Sequence, residues 1–382
     1  MDLQALYAKT DAAKEDMLQW WKQLVDRDCG TANKAGVDSV GRDIAAFLED
    51  LPVRVRFETF EKAGNMLIAE YGDTTKPFVI LTGHMDTVFK DGTAAERPFT
   101  IRDGKAYGPG VLDMKGGVTI LLYAVKFLAE AGYDRYPIKI ILAGDEEVGH
   151  QNSDAVAVYE RESQGAVMAF NFETGFPDNS IVVQRKGVYQ AVFEVFGKSA
   201  HAGNAPEKGR SAIREMAHKV LDIEALTDWE IGNNCNVGVI EGGTVANAVP
   251  DYAKIRVDVR FLTNKGLEIV KEGFQKIAEK TYIEGTRTVY TPVVEFSAME
   301  RLDETEALLN KANQIAEEEG FPAMKGIMVG GGSDSAYTTK LGIPTLCAMG
   351  VRGEWNHTPR EWAEVDSLFE RTKLLMALLC RL

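Results

Sequence analysis

Three short apolar runs constrain this chain most: FVILTGH at 78–84, IKIILAG at 138–144 and AVMAFNFE at 166–173. Runs this short and this apolar read as strands of a parallel sheet, buried on both faces. Between the first two lies VTILLYAVKFLAEAG (118–132). Its apolar residues recur every three or four positions and it stops at glycine, which predicts an amphipathic helix. Strand–helix–strand order implies a right-handed crossover and an α/β sheet. Each run also ends on groups that do chemistry. His84 and Asp86 (GHMD) follow the first, Asp145, Glu146 and Glu147 (GDEE) the second, and Glu173 (NFET) closes the third. Ligands of open α/β sheets bind at the carboxyl ends of the strands, so one edge of the sheet gathers these residues.

At 382 residues the chain is long enough for two domains. The middle changes character. GVYQAVFEVFG (187–197) alternates like a half-exposed strand, 211–226 reads as a helix, 236–243 and 253–262 as strands, 265–280 as a helix and 287–297 as a strand. This β-α-β-β-α-β order predicts a ferredoxin-like α+β domain, inserted at 184–297. The flanks, 1–183 and 298–382, form a discontinuous α/β domain with a mixed, mostly parallel sheet flanked by helices. One face of the inserted sheet is free to pair with a second copy.

Charge and composition narrow the partners. The formal net charge of -14 repels phosphate backbones and argues against nucleic acid. No stretch reaches the ~18–20 apolar residues of a membrane span, and the N-terminus lacks the apolar core of a signal peptide. Cys29, Cys235, Cys347 and Cys380 lie far apart without metal-type spacing, which suits free thiols in a reducing cytoplasm.

Carboxylates gathered without a cation repel one another and take up protons. Divalent ions remove that conflict, since carboxylate oxygen and imidazole nitrogen bind Zn²⁺ at ~2.0–2.2 Å. Two such ions ~3.5–4 Å apart polarise a carbonyl and generate a hydroxide nucleophile. Asp113, on the loop of YGPGVLDMKGG, and His357, in NHTP, complete a set of five ligands with His84, Glu147 and Glu173. Glu146 is left over as general base, and Asp86 is placed to accept the second imidazole N–H of His84. Zinc is the default metal, two ions per chain, and Co²⁺ or Mn²⁺ also suit the donors. Singly, an Asp or His at a strand end is more often a turn residue or a cap; the joint pattern carries the reading. The glycines of GPGVLDMKGG are not a phosphate loop, since no G-K-[ST] follows. His150 and His218 read as surface or structural residues.

LTGHMDTVF, GPGVLDMKGG, GDEEVG, NFETG, AHAG, GGGSDSAY and NHTPRE together resemble, in order and over residues 10–380, the signatures of the glutamate carboxypeptidase, aminoacylase and acetylornithine deacetylase family of dinuclear zinc metallopeptidases. The bacterial glutamate carboxypeptidase branch is the most similar. The resemblance implies a zinc-peptidase-like catalytic domain in which Asp113 bridges both metals, His84 and Glu173 complete one site, and Glu147 and His357 the other. It implies that Glu146 moves the proton and that His201, from the inserted domain of a partner subunit in a homodimer, stabilises the oxyanion. Asn247 and Arg260 match substrate-contacting positions, Arg260 suiting a terminal carboxylate, although it can equally pair with Asp258. Gly331, Gly332 and Ser333 would border the substrate, and a cis peptide would join Asp113 to Met114.

The activity so implied is hydrolysis of an amide bond in a small peptide or N-acyl amino acid with a free carboxylate. An N-deacylase acting on acetyl or succinyl amino acids needs the same metals and base. The loop after Glu173, TGFPDNS, carries no lysine, so the resemblance does not fix glutamate as the substrate. A catalytically silent peptide-binding protein is the rival from another class; the retained Glu146 argues against it, because a silent relative has no need of a base.

Overall fold

The computed structural model describes residues 1–382. The chain divides into two compact units, Met1–Gln184 with Arg301–Met328 and Ser333–Leu382, and Arg185–Glu300 with Val329–Gly332. The sequence reading put Val329–Gly332 in the catalytic domain. It groups instead with the second unit, where Arg260 donates to the Gly330 carbonyl at 3.2 Å and Arg185 donates to the carbonyls of Gly331 and Gly332, both at 3.3 Å.

The first unit holds a six-stranded mixed sheet. Its strands are β1 (Val53–Glu58), β2 (Met66–Tyr71), β3 (Phe78–His84), β4 (Ile138–Ala143), β5 (Ala166–Asn171) and β6 (Thr345–Leu346). Their spatial order is β1–β2–β4–β3–β5–β6. β4, β3, β5 and β6 run parallel, and the antiparallel pair β1–β2 closes one edge. Every residue of β3 and β4 is buried, as expected of parallel strands covered on both faces. The register sets His84 beside Ala143 and Thr82 beside Asn171, so the three chemistry-bearing strand ends lie level.

The helix Gly116–Glu130 differs from the amphipathic element expected. It is buried nearly all round, only Glu130 being fully exposed. The C-terminal helix Val365–Arg381 packs against it, so what reads as a solvent-facing helix is a core one. Its start is fixed by close approach: a Cβ on Gly117 would lie 2.0 Å from the Phe172 carbonyl oxygen. That contact brings the helix N-terminus against the strand end that carries Glu173.

In the second unit, four antiparallel strands have the order Asn234–Gly242, Tyr252–Phe261, Gly187–Phe196, Arg287–Phe296. Helices Ala212–Glu224 and Asn264–Glu279 complete the ferredoxin-like plan. Strict alternation along Gly187–Phe196 turns Tyr189, Ala191, Phe193 and Val195 into the core, where Phe193 stacks on Tyr290 at 5.0 Å. The edge strand Asn234–Gly242 and the helix Ala212–Glu224 leave Ile240 and Leu221 exposed at 60% and 69%. No helix is long and apolar enough to cross a membrane, and no disulfide joins any of the four cysteines.

Candidate metal centre

Four segments of the first unit converge on the loop that carries Asp113. Its loop leaves the strand Lys105–Tyr107 through Gly110, whose φ of 71° is a left-handed value that favours glycine. The loop then passes through a cis peptide between Asp113 and Met114. The two carboxylate oxygens of Asp113 face opposite histidines. Oδ1 lies 3.2 Å from His84 Nε2 and Oδ2 lies 3.0 Å from His357 Nε2. Glu173 Oε1 is 3.5 Å from His84 Nε2, and Glu147 Oε2 is 3.1 Å from His357 Nε2. The donors thus form two triads, His84–Asp113–Glu173 and Asp113–Glu147–His357, whose ligand atoms lie within 4.8 Å of one another. They share Asp113.

The electrostatics call for cations. Burial drives the Glu147 carboxyl up to about 7, with the charge of Asp113 adding to it. His357 is pushed up to about 11 by its bonds to Asp113 and Glu147. Burial opposes charge on His84, yet its bonds to Asp113, Asp86 and Glu173 hold it protonated well above the ordinary range. Two imidazoles thus face four carboxylates, and Glu147 Oε1 is buried without a hydrogen-bond partner. Two divalent ions fit this donor set: the carboxylates exceed the available positive charge, and the orphaned oxygen needs a partner.

Glu146 stands beside the first triad, Oε2 3.9 Å from His84 Nε2. Burial raises its carboxyl well above the carboxylate range; His84 opposes this, and Glu173, Asp334 and Glu147 add to it. A carboxyl whose burial favours the protonated form, set beside the ligand triad, is suited to taking up a proton and passing it on. The Glu146–Glu147 turn hangs from Asp86, whose carboxylate accepts from both backbone N–H groups at 3.2 Å and from Thr31 Oγ1 at 2.6 Å. Asp86 also faces His84 Nδ1, with its backbone carbonyl at 3.0 Å and its carboxylate at 3.4 Å.

Two residues that the sequence reading left out belong to the same NHTPRE motif. Asn356 Nδ2 donates to Asp113 Oδ2 at 3.0 Å. Glu361, buried, accepts from the backbone N–H groups of Gly110, Leu112 and Asp113 at 3.0, 2.8 and 3.0 Å. Their signal was present, since both flank a candidate ligand, but their partners lie some 250 positions away. Glu361→Ala would orphan three buried donors at about 1–3 kcal/mol each. We expect urea unfolding to show a loss of about 3 kcal/mol or more, and metal titration to show weaker binding. Wild-type values for both would show that the loop holds itself.

The remaining candidates divide between the units. In the second, His201 is exposed, its Nδ1 accepting from the N–H groups of Gly203 and Asn204 at 3.1 Å, which leaves Nε2 as the N–H donor in the neutral ring. The Asn247 carbonyl accepts from Ala202 N at 2.9 Å, so the two candidates are neighbours. Arg260 pairs with Asp258, Nε to Oδ2 at 2.9 Å, as well as with Gly330. Gly331 is exposed and Gly332 partly so. Ser333 belongs to the first unit and is fully buried, and Ser335 Oγ bonds to its Oγ at 3.2 Å.

The family model described as Peptidase family M20/M25/M40 matches residues 80–381. The chain belongs to this family. It is 27% identical over 357 residues to carboxypeptidase G2 of a Pseudomonas species, covering 92% of this chain and 85% of that protein. It is 27% identical over 272 residues to acetylornithine deacetylase of Proteus mirabilis, covering 66% and 68%. Among solved structures, aminopeptidase PepT from Bacillus cereus superposes with a TM-score of 0.77 at 26% identity, covering 96% and 98% of the two chains. As an M20 member the protein is a metal-dependent hydrolase, and the two triads are where its own residues can hold the metal.

Proposed function

We propose that this M20 hydrolase cleaves the amide bond of a small peptide or N-acyl amino acid bearing a free carboxylate, with two zinc ions held at the triads. The observation that carries the reading is the sharing of Asp113 between two ligand triads with Glu146 beside them. His84, Asp113 and Glu173 would hold one ion, and Asp113, Glu147 and His357 the other. Bound there, the ions supply Lewis acidity for a carbonyl and lower the pKa of water. The chain's own residues do the rest. Glu146 takes a proton from the attacking water at its carboxylate and delivers it to the leaving nitrogen. Asp86 holds the turn that carries Glu146 and Glu147, and Glu361 holds the loop that carries Asp113.

Arg260 would receive the substrate carboxylate, which then competes with Asp258 for the guanidinium. His201 of a partner subunit would donate from Nε2 to the oxyanion. The homodimer this requires is supported by the open edge strand Asn234–Gly242 and its exposed Ile240. Four cysteines without a disulfide among them support a reducing cytoplasm as its compartment.

A second reading, N-deacylase, is favoured by the similarity to acetylornithine deacetylase. A panel of dipeptides and of N-acetyl and N-succinyl amino acids separates the two, with protein reconstituted with Zn²⁺, Co²⁺ or Mn²⁺ and a chelated control. Chelator-sensitive release of a free amino acid is expected, and the best substrate decides between peptidase and deacylase. No turnover by protein that binds two ions would remove the reading and favour the silent peptide-binding protein.

A further inference from the structure

The metal centre accounts for His84 and His357, but a third histidine of the same unit is more deeply enclosed than His357. His150 is 5% exposed and follows the Glu146–Val148 turn directly. Both ring nitrogens are engaged: Nδ1 lies 3.0 Å from Asp145 Oδ1, and Nε2 lies 2.6 Å from Asp334 Oδ1. Two carboxylates on one imidazole require both nitrogens to carry protons. Burial opposes that charge, but Asp334 and Asp145 outweigh it and push the group up to about 10.

The rest of the cage is equally specific. Tyr159 donates to Asp334 Oδ2 at 2.7 Å and Ser153 to Asp145 Oδ1 at 2.9 Å. The rings of Tyr159 and Tyr337 stack at 5.6 Å, with the imidazole 5.7 Å from Tyr337. The backbone repeats the clasp, since His150 N–H donates to the Asp145 carbonyl at 3.1 Å and Gly149 N–H to that of Glu146 at 2.7 Å. The turn carrying the base and one ligand is thus held on one side by Asp86 and on the other by His150. Asp334, the far end of the second clasp, opens the helix Ser335–Lys340, 184 positions along the chain.

We propose that His150 is a positioning residue, clasping Asp145 to Asp334 so that the carboxylates of Glu146 and Glu147 stay aimed at the metal centre. The inference rests on the functional reading above, for the two zinc ions in its binding arm and for turnover in its kinetic arm. Groups that orient ligands from behind typically contribute 10- to 100-fold to metal affinity or activity.

The test uses the full chain, stripped with chelator and titrated with Zn²⁺ as the probe. His150→Gln should weaken one of the two zinc affinities by about 10- to 100-fold, leaving the other within about threefold. In the zinc-saturated variant, kcat should fall over a similar range with KM little changed. Asp334→Asn should do the same, and the double variant should be no worse than the poorer single one, because the two act as a unit. Tyr159→Phe removes one hydroxyl from a stacked ring and should give a smaller loss of the same kind; it carries the test if His150→Gln does not fold. Zinc affinities and kcat all within about twofold of wild type in folded variants would overturn the proposal. So would equal weakening of both sites with a lower unfolding midpoint, the mark of a merely structural ion bridge. A zinc shift in a protein that hydrolyses no amide would leave the clasp standing and remove the proposed substrate instead.

Discussion

Glu146→Gln is expected to lower kcat by about 100- to 10,000-fold, the usual contribution of a positioned general acid–base, with both metal equivalents retained. The substitution keeps the shape of the side chain and deletes only its capacity to exchange a proton. Glu146 belongs to neither ligand triad, so metal content separates its role from that of its neighbour. Glu147→Gln, by contrast, should weaken metal binding, because its carboxylate is one of the three donors of the Asp113–Glu147–His357 triad. The check is elemental analysis alongside steady-state kinetics. A metal-replete Glu146 variant that turns over at the wild-type rate would show that the proton moves through another group.

Asp113→Ala should have the broader effect. Each triad loses the ligand it shares with the other, so neither keeps more than two donors, and the protein is expected to retain less than one metal equivalent after dialysis. Activity should fall by at least about a thousandfold, equivalent to roughly 4 kcal/mol of transition-state stabilisation. The substitution also frees Asn356 Nδ2 and both histidines from their common acceptor. Near-UV circular dichroism reports whether the loop keeps its packing. Two ions still bound at wild-type affinity would refute the shared-ligand geometry.

Much of this centre could be read before the structure because chemistry and strand ends coincide. A strand buried on both faces leaves a continuous apolar signal, and whatever follows it lies at the sheet's edge. His84, Glu146, Glu147 and Glu173 were found that way, and the split β-α-β-β-α-β order of the second unit followed from period-two alternation. What escaped depends on pairs distant in sequence. Nothing local in GHQNSD marks His150 as the partner of Asp334, and nothing in PRE says that Glu361 collects three N–H groups from another loop. The spacing of His84 and Asp86 pairs the two, but nothing local shows that Asp86 also holds the backbone of the Glu146–Glu147 turn, sixty positions on. The helix Gly116–Glu130 looked half-solvated because the covering helix Val365–Arg381 lies more than two hundred residues further on.

The interrupted layout of the first unit also sets an order of events during synthesis. His84, Asp113 and Glu173, which make up one complete triad, all precede the insertion, whereas His357 follows Glu173 by 184 positions. At ~5–20 residues per second on the ribosome, that gap lasts roughly 10–40 s. For that interval the nascent chain owns every donor of one triad and only two of the other. Completion of the pair waits for the segment that also brings Asn356 and Glu361, so a chain arrested within the insertion carries the donors for one ion but lacks the donor set for two.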